Sequence, residues 1–452
     1  MAKVLFVQDT FYEHHGTEVL SAVLKSAGHE CAMLILTGER GDPIDRIRSI
    51  RPDIVAFSIM TIRVEWATRL ARRVKEELGI RNIFGGPHPT FFPDDLMRTE
   101  AVDMVCVGEG EGALLELAAS IDRGWEGHEH IQNLQVRTNG DIIVNPVRPL
   151  VGRLDELPFQ DRGIYFDRYP LIGKLPKKRF LVGRGCPYDC SFCSNHSYRR
   201  LYRGKGKYCR KRSQEAVIAE IKDVRDRYGV TYASFTDDTF TTDKRYLYEF
   251  LELYRIEIGL PFNCLTRADE IDEETVAALK RAGCHSIAFG LETANEKTRE
   301  TILRKRITDE QIERAAALFK QYGIVITTYN MIGLPTETLE DALATLKMNA
   351  RIGTDVPVAQ IFRPLPGTDI LEHLDADRQA LIMKELTNLE QLFAFGVMCP
   401  WAIPVIERLI KWPNNHLFQL VRLAVMSYTT MKRSNIGIFM MVRMGLKVRN
   451  MA

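Results

Sequence analysis

The chain has 452 residues, 45% hydrophobic and 27% charged, with 61 Lys and Arg against 59 Asp and Glu. It is too apolar and too balanced in charge to be disordered, and at roughly 150 residues per domain it has room for about three cores. The net charge of +2 gives no electrostatic case for nucleic acid as a partner.

The first residues, Met-Ala-Lys-Val-Leu-Phe-Val, enter a strand pattern without the apolar run and cleavage site of a secretory signal. No uncharged stretch exceeds 16 residues, and one of that length, Gln391 to Ile406, is broken by Pro400 and Pro404. A spanning helix needs about 20, so the expectation is a cytoplasmic protein without a transmembrane span. Nine cysteines are too few for a disulfide scaffold.

Over residues 1–125, short apolar runs at 3–8, 31–36, 54–60, 82–84 and 104–107 read as buried strands. Amphipathic stretches at 17–27, 42–50, 64–78 and 93–99 read as the helices between them, and 112–122 follows the last strand. This alternation predicts a flavodoxin-like, doubly wound parallel sheet that binds ligands beyond the carboxyl ends of its strands. Residues 126–178 lose the rhythm and read as a connector, with a hairpin turning at Asn139-Gly140.

A second βα series occupies residues 179–370, with strands expected at 179–183, 233–236, 262–266, 286–290, 325–331 and 358–362. Ser213 and Asp309 read as helix N-caps, and Gly229, Gly283 and Gly323 as helix stops. Six units predict a partial (β/α)6 barrel with its chemistry at the carboxyl ends of the strands. Residues 371–452 read as a mainly helical, basic region. From Val405 onward there are eight Lys and Arg and one acid, Glu407, interleaved with Leu417, Phe418, Leu420, Met426, Ile438, Phe439 and Met441.

Behind the first barrel strand stands Gly183-Arg184-Gly185-Cys186-Pro187-Tyr188-Asp189-Cys190-Ser191-Phe192-Cys193. Three thiolates at C-x3-C-x2-C ligate three irons of a cubane and leave the fourth open. A closed zinc site wants four ligands. His196 is a candidate fourth, but no second C-x2-C pair accompanies it.

This cysteine spacing, with Phe192 before the last cysteine, resembles the signature of the radical S-adenosylmethionine superfamily. The resemblance implies a [4Fe-4S] cluster on Cys186, Cys190 and Cys193. Its open iron holds S-adenosyl-L-methionine, which one electron cleaves to methionine and a 5′-deoxyadenosyl radical. It also implies cofactor contacts at successive strand ends: Asp237 and Asp238 in Thr236-Asp237-Asp238-Thr239-Phe240, Glu292 in Gly290-Leu291-Glu292-Thr293, and Gly333 in Ile332-Gly333-Leu334-Pro335. Arg363-Pro364-Leu365-Pro366-Gly367-Thr368 follows the sixth strand. Plainer readings stand beside these. Asp237 and Asp238 can cap a helix, Glu292 can pair with Arg267, Gly333 and Gly367 can be turn glycines, and Cys209, Cys264 and Cys284 can be small core residues.

The N-terminal domain resembles the cobalamin-binding domain of one large class of these enzymes. The likeness lies in Ser58-Ile59-Met60-Thr61, Gly85-Gly86-Pro87-His88-Pro89 and Val107-Gly108-Glu109-Gly110-Glu111. It implies cobalamin contacts from Ser58, Thr61, Gly85, Gly86, His88, Gly108 and Glu109. The loop Gln8–Gly16 departs from the Asp-x-His-x-x-Gly motif that supplies a lower axial histidine in methionine-synthase-type carriers. His14 and His15 remain candidates for polar contacts.

The implied activity is methylation of an unactivated carbon in a small or lipid-like intermediate. An oxidative cyclase or rearrangement enzyme of the anaerobic porphyrin-ester cyclase type is the second reading, and a non-catalytic iron–sulfur carrier or sensor the third. A methylthiotransferase would carry a second N-terminal cysteine triad, and only Cys31 and Cys106 occur there. The class further implies an external electron donor of the flavodoxin or ferredoxin type. The basic C-terminal region is expected either to cap the barrel or to contact a membrane peripherally. No catalytic side chain is assigned from sequence.

Overall fold

The computed structural model describes residues 1–365, 367–373, 376–413 and 416–434. Along β1 (Lys3–Gln8), Val4 and Phe6 enter one apolar layer while Leu5 and Val7 enter the other, the two-residue period of a strand buried on both faces. β2 (Glu30–Ile35), β3 (Ile54–Ser58), β4 (Arg81–Gly85) and β5 (Met104–Cys106) pair in parallel with it in the order β2-β1-β3-β4-β5. Helices 15–26 and 111–122 cover the Val4 side, and helices 43–50 and 64–78 the Leu5 side.

The hairpin forms as β6 (Leu134–Thr138) and β7 (Asp141–Val144). Asn139 and Gly140 both take positive φ, 53° and 91°, as a two-residue primed turn requires. It does not stand apart as a connector element but pairs antiparallel onto β5, extending the sheet to seven strands.

The second sheet is wholly parallel: β8 (Lys177–Phe180), then, after a small ribbon of β9 (Gly183–Arg184) and β10 (Arg210–Lys211), β11 (Tyr232–Phe235), β12 (Phe262–Thr266), β13 (Cys284–Glu292), β14 (Val325–Ile332) and β15 (Val356–Ile361). Strand order follows sequence order from β8 to β15, as in an open (β/α)6 barrel. Phe180, Phe235, Phe262, Ile287, Phe289 and Ile326 pack outward against the helices, and Arg179, Ser234, Asn263, Leu265 and Tyr329 line the lumen. Ser213 caps its helix as expected. Before helix 309–321 the cap is Thr308, not Asp309, because Thr308 and Gln311 close a reciprocal capping box. Gly229, Gly283 and Gly323 follow their helices with positive φ.

The C-terminal part is helical at Ala376–Met398, Ile403–Leu409 and His416–Ser434. Helix 376–398 lies on β15 and on helix 339–351 through Leu386, Leu389, Leu392 and Phe393. Among the described residues no helix is long and apolar enough to cross a membrane. Pro366 and the apolar cluster Ile438–Met441 lie outside the described residues.

Candidate active site

The cysteine loop begins where the β9–β10 ribbon brings two backbones together. A Cβ on Gly183 would stand 2.5 Å from the Arg210 carbonyl, so only glycine permits the approach. Asp237, just past β11, accepts from the amides of Val182 (3.1 Å) and Gly183 (2.7 Å). It thus clasps the strand leading into the loop and does not cap a helix; Asp243 does that. Burial pushes the Asp237 carboxyl up to about 6 against those two amides. Farther along, the Ser191 amide donates to the Leu303 carbonyl and Ile370 donates to the Ser191 carbonyl, tying the loop to two distant segments.

All three cysteines are free thiols, with Cys190 buried and Cys186 and Cys193 half-buried. Desolvation raises each thiol, Cys186 to about 12, so thiolates here need a nearby positive centre such as a metal. Arg267 reaches the Cys190 sulfur at 3.6 Å and is itself held by Asp269 at 2.9 Å and by stacking on Tyr188. Asn195 reaches the Cys193 sulfur at 3.6 Å. Among the described residues no three His, Cys, Asp or Glu side chains converge on one metal ion; in a cubane each thiolate has its own iron, so such convergence is not required. His196, the fourth ligand of a zinc reading, turns its Nε2 to Asp369 at 3.2 Å. The donor set therefore fits a three-cysteine cluster better than a closed zinc site.

Glu292 does not pair with Arg267. Its carboxylate meets the Lys305 ammonium at 2.7 Å, both groups being buried, and Lys305 also donates to the Gly290 carbonyl. Glu292 sits at the bulge ending β13 with φ 67°, and a Cβ on Gly290 would collide with its carboxylate. Gly333 also has positive φ, and its amide and that of Leu334 donate to Glu337. Asp238 opens onto the cleft between the domains, whose walls desolvate and raise its carboxyl against a bond from Asn195. Cys264 and Cys284 are core residues and Cys209 is half-buried.

In the N-terminal sheet, Ser58, Thr61, Gly85, Gly86 and His88 gather at the carboxyl ends of β3 and β4. His88 bonds Thr61 at 3.2 Å, and burial lowers its pKa. Gly85 has nothing within 4 Å of where a Cβ would stand, and Gly86 (φ 99°) lies against the Ile59 backbone. Hydroxyls and bare backbone at these strand ends fit a bulky ligand tail. Gly108 packs under the Tyr202 hydroxyl, which accepts from the Glu109 amide at 2.6 Å. Burial works against the Glu109 carboxylate, yet Arg210 and Arg184 (3.0 Å) hold it below the usual range. His15 bonds Thr236 at 3.0 Å, Gln160 at 2.8 Å and Glu18 at 3.2 Å, and His14 packs on Tyr12.

Between the domains runs a cleft of about 440 Å³, bounded by Gly108, Glu109 and His15 on one side and by Asn195, Thr236 and Asp238 on the other. Thr236 and Arg179 also border the barrel lumen, a cavity of about 690 Å³. Lys305, Glu337, Asn195, Tyr202 and Arg210 were missed by sequence reasoning. Lys305 and Arg210 carry no local signal, whereas Glu337, four residues past Gly333, could have been flagged as a clasp on a glycine turn.

Residues 180–348 match the model of the radical SAM superfamily, and residues 6–118 match the B12 binding domain. A protein of Pyrococcus horikoshii described as an uncharacterized methyltransferase is 32% identical over 343 residues, 75% of this chain and 72% of that one. The anaerobic magnesium-protoporphyrin IX monomethyl ester cyclase of Rubrivivax gelatinosus is 26% identical, covering 94% of this chain and 79% of its own. In fold, the chain is similar to the radical S-adenosylmethionine methyltransferase TsrM of Kitasatospora setae. The TM-score is 0.67 at 20% identity, over 82% of this chain and 75% of that one.

Proposed function

The chain belongs to the radical SAM superfamily and, within it, to the class that carries a B12-binding domain; from that premise we propose that it methylates an unactivated carbon of a small or lipid-like biosynthetic intermediate. Its cofactors are a [4Fe-4S] cluster, S-adenosylmethionine and cobalamin. When bound, the cluster and S-adenosylmethionine supply one-electron radical chemistry and cobalamin supplies a methyl donor.

The chain's own residues divide the work. Cys186, Cys190 and Cys193 hold the cluster, and Arg267 and Asn195 direct N–H groups at two of the sulfurs. Asp238 offers a carboxylate to the ammonium of S-adenosylmethionine. Asp237, Glu292 and Gly333 shape the strand ends around it, Asp237 through its grip on the loop entrance. Ser58, Thr61, Gly85, Gly86, His88 and Gly108 receive cobalamin, and Glu109 locks that side of the cleft to the barrel through Arg184 and Arg210. The observation that supports the reading is the cleft between the domains, bordered by Gly108 and Glu109 of the N-terminal sheet and by Asn195, Thr236 and Asp238 of the barrel, which shares Arg179 and Thr236 with the barrel lumen. Ser58, Thr61, Gly85, Gly86, His88 and the three cysteines are not among its lining residues.

The enzyme is proposed to work in the cytoplasm with an external flavodoxin- or ferredoxin-type reductant. The second reading, oxidative cyclisation, is favoured by the span of the match to the Rubrivivax cyclase. Anaerobically reconstituted protein is incubated with reductant, S-adenosylmethionine and candidate substrates. Methylated product with one equivalent each of S-adenosylhomocysteine and 5′-deoxyadenosine supports methylation. Deoxyadenosine without the homocysteine moves the assignment to the cyclase type. An intact cluster that cleaves no S-adenosylmethionine leaves a carrier.

A further inference from the structure

Residues 399–434 hold five Lys and Arg (408, 411, 422, 432 and 433) and one acid, Glu407, in a chain whose overall balance is only +2, and Lys432 is paired with Asp355 at 2.6 Å. Glu407 is already taken by Lys347 at 2.7 Å. Helices 403–409 and 416–434 are anchored inward by Ile403, Ile406, Ile410 and Phe418, all buried with helix 376–398. Their apolar residues are therefore not outside for want of a core. Trp401 is 77% exposed, Trp412 57%, and Leu417, Leu420 and Leu423 each 61–63%. Between Leu417 and Tyr428 the single charged side chain is Arg422, drawn inward to Glu390 at 3.3 Å. Between Leu417 and Tyr428 the outer face of this helix is thus uncharged and mainly apolar, with Gln419 and Ser427 exposed among the leucines and exposed Arg408 and Lys411 close by in sequence.

Exposed Trp and Leu in such density mark an interaction surface. Tryptophan beside lysine and arginine, with almost no acid, is the composition of an element lying in the interface of an anionic bilayer. The same helix borders the barrel: Arg422, Met426 and Thr429 line the lumen, and Met426 is 48% exposed, so the cavity opens beside the apolar face. Val356, Val358, Ala359 and Phe393 make one wall of that cavity apolar, while Ser234 and Asn263 oppose them with polar groups. The Asn263 Oδ1 is buried without a partner.

We propose that the outer face of residues 401–413 and 416–428 docks this enzyme on an anionic membrane surface and that its substrate is an amphiphile drawn from that membrane past Met426 into the lumen. The substrate half rests on the enzymatic reading above; the docking half does not.

The test is flotation of the full-length holoenzyme with vesicles of phosphatidylcholine alone and of phosphatidylcholine with phosphatidylglycerol. Wild type floats with the anionic vesicles. Combined Leu417→Ser, Leu420→Ser and Leu423→Ser weakens binding by about tenfold or more. Combined Arg408→Glu and Lys411→Glu removes the preference for anionic lipid. Circular dichroism and substrate-free cleavage of S-adenosylmethionine stay at wild-type levels in both. Failure of wild type to float, or equal flotation of the leucine variant, overturns the docking. So does a dimer of wild type that the leucine substitutions dissolve, because a second copy would then cover the face. Since flotation needs no turnover, absence of methylated product would count against the enzymatic reading and not against the docking.

Discussion

Glu292 occupies left-handed backbone, φ 67°, with its carboxylate buried 2.7 Å from the Lys305 ammonium. Removing one member of such a pair leaves the other charge uncompensated, which costs about 3–5 kcal/mol. Lys305→Met is expected to destabilise by that amount in denaturant unfolding and to abolish S-adenosylmethionine cleavage. A change below about 1 kcal/mol would remove Glu292 from its positioning role. Glu337 shows the same scale through pH. Burial pushes its carboxyl up to about 7 from an ordinary value near 4.5, against the amides of Leu334 and Gly333 and the Thr293 hydroxyl. The folded state holds this proton more tightly than the unfolded chain. Its stabilisation is therefore full below about pH 4.5 and lost as pH rises through about 7, on the order of 3 kcal/mol. Asp237, pushed up to about 6, acts with the same sign. In Glu337→Gln the Glu337 contribution disappears, so unfolding free energies measured from pH 5 to 8 should shift progressively in favour of the variant.

The β9–β10 ribbon is the element on which the cysteine loop depends. Its backbones touch at Gly183, and Asp237 bonds the same turn from β11. Gly183→Ala sets a methyl against the Arg210 carbonyl and is expected to spread the ribbon. Iron and sulfide per chain after anaerobic reconstitution should fall below half of wild type while the far-ultraviolet spectrum is kept. Unchanged iron would show that the loop is held by its far end, where the backbone of Ser191 meets Leu303 and Ile370. Elements of this size were mostly legible beforehand. The Asn139-Gly140 turn, the cap at Ser213 and the glycine stops obey local rules, whereas the cap expected at Asp309 fell one residue earlier, on Thr308. The ribbon was not, because its two strands are two residues each and lie 25 residues apart, too short for any periodicity to register.

Across the whole molecule, Arg162 is the central tie. It lies in the connector, 1% exposed, with Glu18 of the N-terminal domain at 3.8 Å and Glu220 of the barrel at 3.3 Å, both buried. One guanidinium thus neutralises a carboxylate from each side. Arg162→Met removes the charge the two carboxylates share, leaving Glu18 to His15 and Glu220 to Arg212, and is expected to cost about 3 kcal/mol. Calorimetry should then separate one unfolding transition into two as the domains uncouple. A single transition at unchanged temperature would mean that Glu109 with Arg184 and Arg210 suffices to hold the cleft.

From its order of residues alone this chain declared a three-cysteine loop, two βα series and their sequence of strand ends. Those features depend on spacing and periodicity within a few turns of the backbone, where sterics and hydrophobic alternation act without distant help. Partner choice was decided only in three dimensions. Glu292 took Lys305 over Arg267, His196 took Asp369 over a metal, and Glu109 reached Arg210, 101 residues away. A sequence offers each charged side chain many partners of opposite sign; which two meet depends on how the sheets and helices pack, and that packing is a property of the folded whole.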